Sequence, residues 1–573
     1  MFGLVLSFLD QSNMKFYLLF SGIAAAVGCI SILLSVFYRY KMEFAKSMVG
    51  ICEQGLARRA RDWQRLPEHQ VVDIVDEGAV ASDLNLFGFG SLMQLVCTAE
   101  TIDGRSTLAN WFLSCPTVQQ VRQRQTLARV LAQEIGWRQG LQQRCEVIRK
   151  NQSAQVRNLK QWAGDNSYQP PFLLRRYAIA LRFIVPAILV LFFVLPYVGF
   201  PFLFLVVLVN ILLTIAYSGD LHSHLDSMAA RSLGPTSRSL SRVFSYLGTS
   251  ACLVSETTER CGEAAVGISK LEKILIGHSI SSNPFLAFFV ALPLQFLFLL
   301  DIQLWLAAVQ WRHQYGARVA LWFEQLGEVE ALCSLASLSY EQPSWNFPEI
   351  HESCSPSFEA KDLGHPLLPD DKRVVNDCVV GPPGTLLMIT GSNMGGKSTL
   401  LRAIGINAVL AHAGSPCCCS SLKMTPLHIM TSISVSDSLD DSESFFMAQL
   451  ISLKRVVDHV RKIQNKPNNT AVMYLFDEVL NGTNSVDRRV AVEALVGFLL
   501  KRHAIGVMTT HDLEIATGSA HDQALKKYYL THQIAGSSGD SLLKFDYKLR
   551  PGIAPSTNAL VLFRLLGISG EQE

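Results

Sequence analysis

The chain has 573 residues, 49% of them hydrophobic and 17% charged, with 50 Lys and Arg against 48 Asp and Glu and a formal net charge of +2. That length supports two or three domains, and the near-neutral balance excludes a global basic field for gripping nucleic acid. Any such contact has to come from a local patch, Arg122, Arg124 and Arg129 or Lys454, Arg455, Arg461 and Lys462, and a solvated helix face accounts for either patch equally well.

In chain order, the first element is Phe16 to Tyr38, a run without charge and long enough to cross a hydrocarbon core of about 30 Å. Lys15 precedes it, and Arg39, Lys41, Arg58, Arg59 and Arg61 follow. This excess of positive charge on the C-terminal side orients the downstream chain inward. A cleaved signal peptide competes with this anchor, but the small residues Ala24, Ala25 and Ala26 sit inside the apolar run and not after it. Residues 106 to 165 have helical periodicity with Gln and Arg on the polar faces. Next comes a second apolar region, Ala178 to Tyr217, broken by Pro196, Gly199 and Pro201. It predicts a transmembrane hairpin turning near Tyr197 to Pro201, with Arg175 and Arg176 on the near side and no polar stripe beyond Arg182 and Asn210. Residues 221 to 275 are again helical in pattern. The shorter apolar stretch Pro284 to Leu300 reads as a buried or membrane-surface helix, because a further crossing would place the rest of the chain on the wrong side for a nucleotide.

The C-terminal region carries the chemistry. A strand, Leu386 to Ile389, runs into Gly391, Ser392, Asn393, Met394, Gly395, Gly396, Lys397, Ser398 and Thr399, and the spacing of Leu400, Leu401, Ile404 and Leu410 predicts a helix beyond. Glycines let backbone N–H groups face phosphates, Lys397 neutralises their charge, Ser398 offers an oxygen to Mg²⁺, and the helix N-terminus adds its positive end. The motif predicts an ATP site. A second strand, residues 471 to 478, ends in Asp477, placed to hold Mg²⁺, and Glu478, placed to orient or deprotonate the attacking water. A third, from Ala504, ends in Thr509, Thr510, His511 and Asp512, with His511 as a candidate γ-phosphate sensor. The 13 cysteines lack C-x-x-C spacing and read as free thiols, so no metal beyond Mg²⁺ is expected.

These motifs together resemble the ATPase domain of the MutS mismatch-repair family. The matches are TGSNMGGKST from Thr390, DEVLNGTNSVDR from Asp477, TTHDLE from Thr509, GHPLL from Gly364, VND at 375 to 377, and FDYKLRPG at 545 to 552 followed by STNAL. SESFFMAQL at 442 to 450 is similar to the family's S-T-F-M segment, which implies that Ser444 reaches across a dimer to the partner's nucleotide. Upstream, DLNLFGFGSLMQLV at 83 to 96, Thr101 to Arg105, LANWF, Arg124 with Gln125, and residues 326 to 350 resemble the family's helical core. The departures are that nothing before residue 83 resembles a mismatch-reading domain, no F-x-E motif occurs, and the chain ends soon after LFRLLGI. Asn481 stands where relatives have Arg, and Arg373 where an aromatic commonly stacks on adenine.

The resemblance implies an α-helical MutS-like core with transmembrane helices, followed by an α/β P-loop ATPase domain of the ABC type. The expected divisions are an anchor at 1–44, core at 45–177, transmembrane hairpin at 178–217, core at 218–350, and ATPase domain at 351–573. The expected protein is a multi-pass membrane homodimer with its ATPase domain cytoplasmic, using ATP and Mg²⁺ and contacting membrane lipid. Two functions remain open. ATP turnover is coupled either to double-stranded DNA, mismatched DNA included, or to a membrane switch acting on a protein or lipid partner without DNA.

Overall fold

The computed structural model describes residues 11–68, 78–164, 171–217, 219, 230–250, 255–282, 287–353, 355–392, 395–433, 445–464, 471–480, 484–502, 504–517, 519–533 and 544–554. Ser444, Asn393, Met394, Asn481 and the STNAL segment lie outside them. The chain divides after Ala57, so most of the first helix, α1 (Gln11–Ala60), is one unit and Arg58 onward is the other. Along α1, Ile23, Ile30, Leu33 and Phe37 are exposed.

The second unit begins with a helical body: α2 (Gly78–Asp83), α3 (Leu92–Val96), α4 (Ile102–Leu113), α5 (Val118–Gln133) and α6 (Ile135–Gly164). Polar caps set the starts, since Ser91, Thr101 and Thr117 each accept a backbone N–H of the following turn, and Thr117 with Gln120 closes a capping box. Two apolar helices follow, α7 (Phe172–Val194) and α8 (Pro196–Ala216). The turn between them falls at Leu195, ahead of the expected Tyr197 to Pro201. Pro196 is the reason, because a proline with no N–H to donate suits the first position of a helix. Gly199 lets the two helices touch, as a Cβ there would lie 2.3 Å from Phe192 Cα.

Helices α9 (Ala230–Leu247) and α10 (Ser255–Ser282) pair with each other, and α9 also packs on α6. The apolar stretch after them is not one helix. It comprises a π turn (Ala287–Ala291), α11 (Leu292–Phe298) and α12 (Leu300–Tyr315), with a sharp break at Leu299. Then α13 (Val319–Glu341), buried continuously from Val329 to Leu338, forms the axis against which α4 and α5 pack. Among the described residues, three helices are long and apolar enough to cross a membrane, α1 from Phe20, α7 and α8, and the bent pair Phe288–Phe298 with Leu300–Glu341 would be a fourth if it formed one span.

The α/β domain follows. A four-stranded sheet, order β1-β5-β2-β3, joins β1 (Glu349–Ile350), β2 (Phe358–Leu363), β3 (Asn376–Val380) and β5 (Ser421–Met424). The larger sheet has the order β10-β9-β4-β8-β7-β6, from β4 (Leu386–Thr390), β6 (Leu427–Ser432), β7 (Ala471–Asp477), β8 (Ala504–Thr510), β9 (Leu525–Gln533) and β10 (Lys544–Pro551). All its pairings are parallel except β9 with β10. Strands β4 and β8 are buried at every residue, as central strands covered on both faces must be. Helices α14 (Lys397–Ala413), α15 (Phe445–Gln464) and α16 (Ser485–Leu500) flank this sheet. The helical body grips α14 directly: Arg402 Nε donates to the Asp83 carbonyl at 2.9 Å, and Asp83 Oδ2 accepts Ile433 N at 3.0 Å.

Candidate functional site at the strand tips

Three neighbouring parallel strands, β4, β8 and β7, end at one edge of the larger sheet, which brings together residues far apart in sequence. From β4 the chain enters the glycine loop and then α14. Gly396 has φ +87°, and a Cβ there would meet the Tyr547 ring at 2.8 Å, so the position needs glycine both for its backbone and for its space. Lys397 is buried, and its Nζ donates to the carbonyls of Gly391 at 2.8 Å and Ser392 at 3.0 Å. The same Nζ lies 3.0 Å from Glu478 Oε1.

At the tip of β7, Glu478 adopts φ +47°, a left-handed backbone unusual for a residue with a side chain. Its N–H is held by Thr509, to the carbonyl and to Oγ1, each at 3.2 Å. Thr509 Oγ1 in turn donates to Asp477 Oδ1. The second oxygen of Glu478, Oε2, is 3.2 Å from His511 Nδ1. Lys397, Glu478 and His511 thus form one connected row, with Asp477 beside them. Ser398 is partly exposed at the start of α14, and Thr399 is exposed.

A cavity of about 630 Å³ opens over α14's N-terminus, bounded by Gly396, Lys397, Ser398 and Thr399 and, on the other side, by His365 and Tyr547. This is the size range of small-molecule sites. Burial, followed by the nearby Arg402 and Arg373, lowers His365 to about 4, so its ring is neutral at physiological pH. Arg373 points elsewhere. Its guanidinium bonds the His365 carbonyl at 3.1 Å and Asp370 at 2.7 Å and lies 5.6 Å from the Trp345 ring, bracing its own loop. The pocket's aromatic is Tyr547, stacked on Phe545 with centroids 5.9 Å apart. Asn376 holds that segment, donating to the Tyr547 carbonyl at 3.0 Å and accepting Leu549 N at 2.8 Å. VND and FDYKLRPG are legible in the sequence as matched segments, but the roles of Asn376, Tyr547 and Thr509 are not, because their contacts form only when β3, β8 and β10 meet the loop.

The first basic patch makes contacts within the chain, although Arg122 and Arg129 remain exposed. Arg122 donates to the Ile350 carbonyl at 3.2 Å, Arg124 sits 4.1 Å from the Trp111 ring, and Arg129 lies 4.6 Å from Phe347. In the second patch, Lys454 and Arg455 are exposed.

A helical part followed by a parallel α/β domain with a glycine loop at its central strand defines the class of protein. Residues 387–569 match the family model for MutS domain V. The chain is 27% identical over 250 residues to the DNA mismatch repair protein MutS of Aquifex pyrophilus, covering 43% of this chain and 28% of that protein. It is 27% identical over 257 residues to the MutS of Haloquadratum walsbyi, covering 43% and 25%. Against the MutS of Psychrobacter cryohalolentis it is 30% identical over 203 residues, covering 34% and 19%. The chain thus spans only about a quarter of the length of the curated relatives it matches. Through this region it is similar to MutS domain V.

Proposed function

We propose that the protein is a membrane-anchored, MutS-type ATPase that binds and hydrolyses ATP in a homodimer and couples turnover to duplex DNA, mismatched DNA included. The row Lys397–Glu478–His511 beside the glycine loop carries this reading. The residues present fit the substrate: the loop offers backbone N–H groups and a buried cation to phosphates, while His365, Leu368 and Val374 wall the cavity for a base. Ser398 and Asp477 are the residues that would hold Mg²⁺, which when bound neutralises charge on the β- and γ-phosphate oxygens.

In the structure Lys397 shares its charge with Glu478. Phosphate oxygens arriving at the loop compete for Lys397, and Glu478 is thereby released to accept a proton from water. His511, on the other carboxylate oxygen, is placed to hold Glu478 in position or to meet the γ-phosphate. Ser444 is assigned the partner's nucleotide by family resemblance. The three apolar helices serve as anchor and hairpin, with the α/β domain cytoplasmic, and the divisions 1–44, 45–177, 178–217, 218–350 and 351–573 follow this plan.

A second reading has an observation in its favour. Arg122, Arg124 and Arg129 are each engaged by contacts within the chain, and a membrane switch acting on a protein or lipid partner needs no free basic surface there. ATP turnover by the full-length chain in lipid nanodiscs, without DNA, with paired duplex and with a one-mismatch duplex, decides between them, with Glu478→Gln as the blank. Mismatch-dependent turnover supports the repair-like reading. Turnover indifferent to any duplex removes DNA and leaves the switch, and turnover equal to the blank removes the enzyme.

A further inference from the structure

Residues 287 to 300 contain no charge and one polar side chain, Gln295. Their backbone is interrupted twice. The π turn Ala287–Ala291 runs into Pro293, which has no N–H to give to a regular α-helical ladder. At Leu299 the backbone turns left-handed, φ +54°, and the helix axis bends by 76°. A break of this kind frees the carbonyls of the preceding turn, and in an apolar medium each freed carbonyl costs several kcal/mol unless another donor replaces the lost one.

The donors come from the hairpin. Asn210, fully buried on α8, donates from Nδ2 to Phe296 O at 2.7 Å and Leu297 O at 3.1 Å, and its Oδ1 accepts the Tyr177 hydroxyl at 3.0 Å. Gln295 Nε2 donates to Thr214 Oγ1 at 3.0 Å, and Gln295 Oε1 accepts Asp301 N at 2.9 Å across the break. Gln303 on α12 donates to the Ala178 carbonyl and accepts from Arg182 Nη2 at 2.7 Å. Asn210, Tyr177, Thr214 and Gln295 face one another between α7, α8 and α11, whereas the Arg182–Gln303 pair is exposed. The outer surface of the broken segment is apolar, with Phe288 65% and Phe289 62% exposed, and it continues the exposed apolar surface that α7 and α8 present at Phe193 and Phe204.

We propose that residues 287–298 are a re-entrant membrane element, dipping into the hydrocarbon beside the hairpin and leaving on the side it entered, with acyl chains covering Phe288 and Phe289. This rests on the reading of α7 and α8 as membrane-spanning. Residues 287–298 by themselves are too short for a full crossing, since twelve helical residues extend about 18 Å against a hydrocarbon core of about 30 Å, and beyond the 76° bend the chain carries Asp301. The inward-facing polar network and outward-facing apolar side chains fit lipid as the occupant, since irregular backbone at membrane depth survives only when protein satisfies it. The arrangement also explains how so apolar a segment leaves α10 and the α/β domain on one side.

The test uses the full-length chain in phosphatidylcholine nanodiscs, with a photoreactive benzoylphenylalanine replacing Phe288 or Phe289. Phe193 and Phe204 are the hairpin controls, and Phe89, exposed on the helical body, is the aqueous control. Acyl-chain adducts at 288 and 289 should match the hairpin positions and exceed Phe89 about tenfold. In unidirectionally oriented proteoliposomes, Lys273 on α10 and Lys361 on β2, both exposed, should react with a membrane-impermeant amine reagent to equal extents. Hairpin adducts without adducts at 288 and 289 overturn the re-entrant element and leave the spanning hairpin standing. Protein–protein adducts at 288 and 289 in place of lipid adducts overturn it in favour of a second copy. Complementary labelling of Lys273 and Lys361 overturns it in favour of a crossing. If Phe193 and Phe204 also give only the Phe89 yield, the membrane reading falls and the re-entrant element with it.

Discussion

The glycine loop at 391–396 and the break at Leu299 are both places where regular backbone stops beside a helix, yet their loose backbone groups meet opposite fates. At Leu299 the protein closes the gap from within, through Asn210 and Gln295. At the loop, Lys397 is matched, among the described residues, by two carbonyls and by Glu478, a carboxylate whose pairing an arriving phosphate can replace. A break satisfied by fixed side chains is a structural joint, whereas a break satisfied by an exchangeable ion pair is suited to a ligand. Both are built in a setting where an unsatisfied polar group is expensive.

The contrast can be broken most forcefully at Glu478. Glu478→Gln should lower ATP turnover on the order of a hundredfold to ten-thousandfold, the usual range for losing a general base, while bound nucleotide is retained in equilibrium dialysis. Turnover unchanged from wild type would take Glu478 out of the chemistry. Lys397→Ala should act earlier, weakening ATP affinity by about ten- to a hundredfold, as for loss of a charge-assisted contact. Equal affinity in titration calorimetry would show that the loop does not hold phosphate through Lys397.

A pH effect separates the helical body from both breaks. Burial raises Glu330 to about 7, against the pull of hydrogen bonds from Thr101 and the Glu100 backbone. The folded chain therefore binds this proton more readily than the unfolded chain, whose value is near 4.5. Stability from this group is fully present below the unfolded value and lost as pH rises through about 7, by at most roughly 3 kcal/mol. Glu330→Gln should flatten that slope in denaturant titrations at pH 5 and pH 8, and an unaltered slope would exclude Glu330 as its source.

The smallest expected effect sharpens the joint itself. Asn210→Leu leaves the half-buried Phe296 and Leu297 carbonyls without their side-chain donor and should cost about 1–3 kcal/mol, read as a lower midpoint of thermal unfolding in nanodiscs. Nucleotide affinity should stay at the wild-type value. A loss of affinity with unchanged thermal stability would show that the two breaks are not separate devices.

Much of the nucleotide region was legible in the chain because its logic is local. A buried strand, glycines, Lys397 and a following helix occur within about fifteen consecutive residues, and Asp477 and Glu478 stand at the end of another apolar run. The apolar helices were legible for the same reason, since length and absence of charge need no partner to be read. By itself, then, the sequence determined a helical part followed by an α/β domain, a glycine loop, and three helices apolar enough to cross a membrane. Tertiary structure alone decided which distant residues complete each break: Thr509 under Asp477 and Glu478, Tyr547 over Gly396, Asn210 beneath Phe296, and Arg122, Arg124 and Arg129 turned to internal contacts. The physical reason is that a hydrogen bond or ring contact depends on a few ångströms of separation, which strand order and helix packing set and which sequence spacing does not encode.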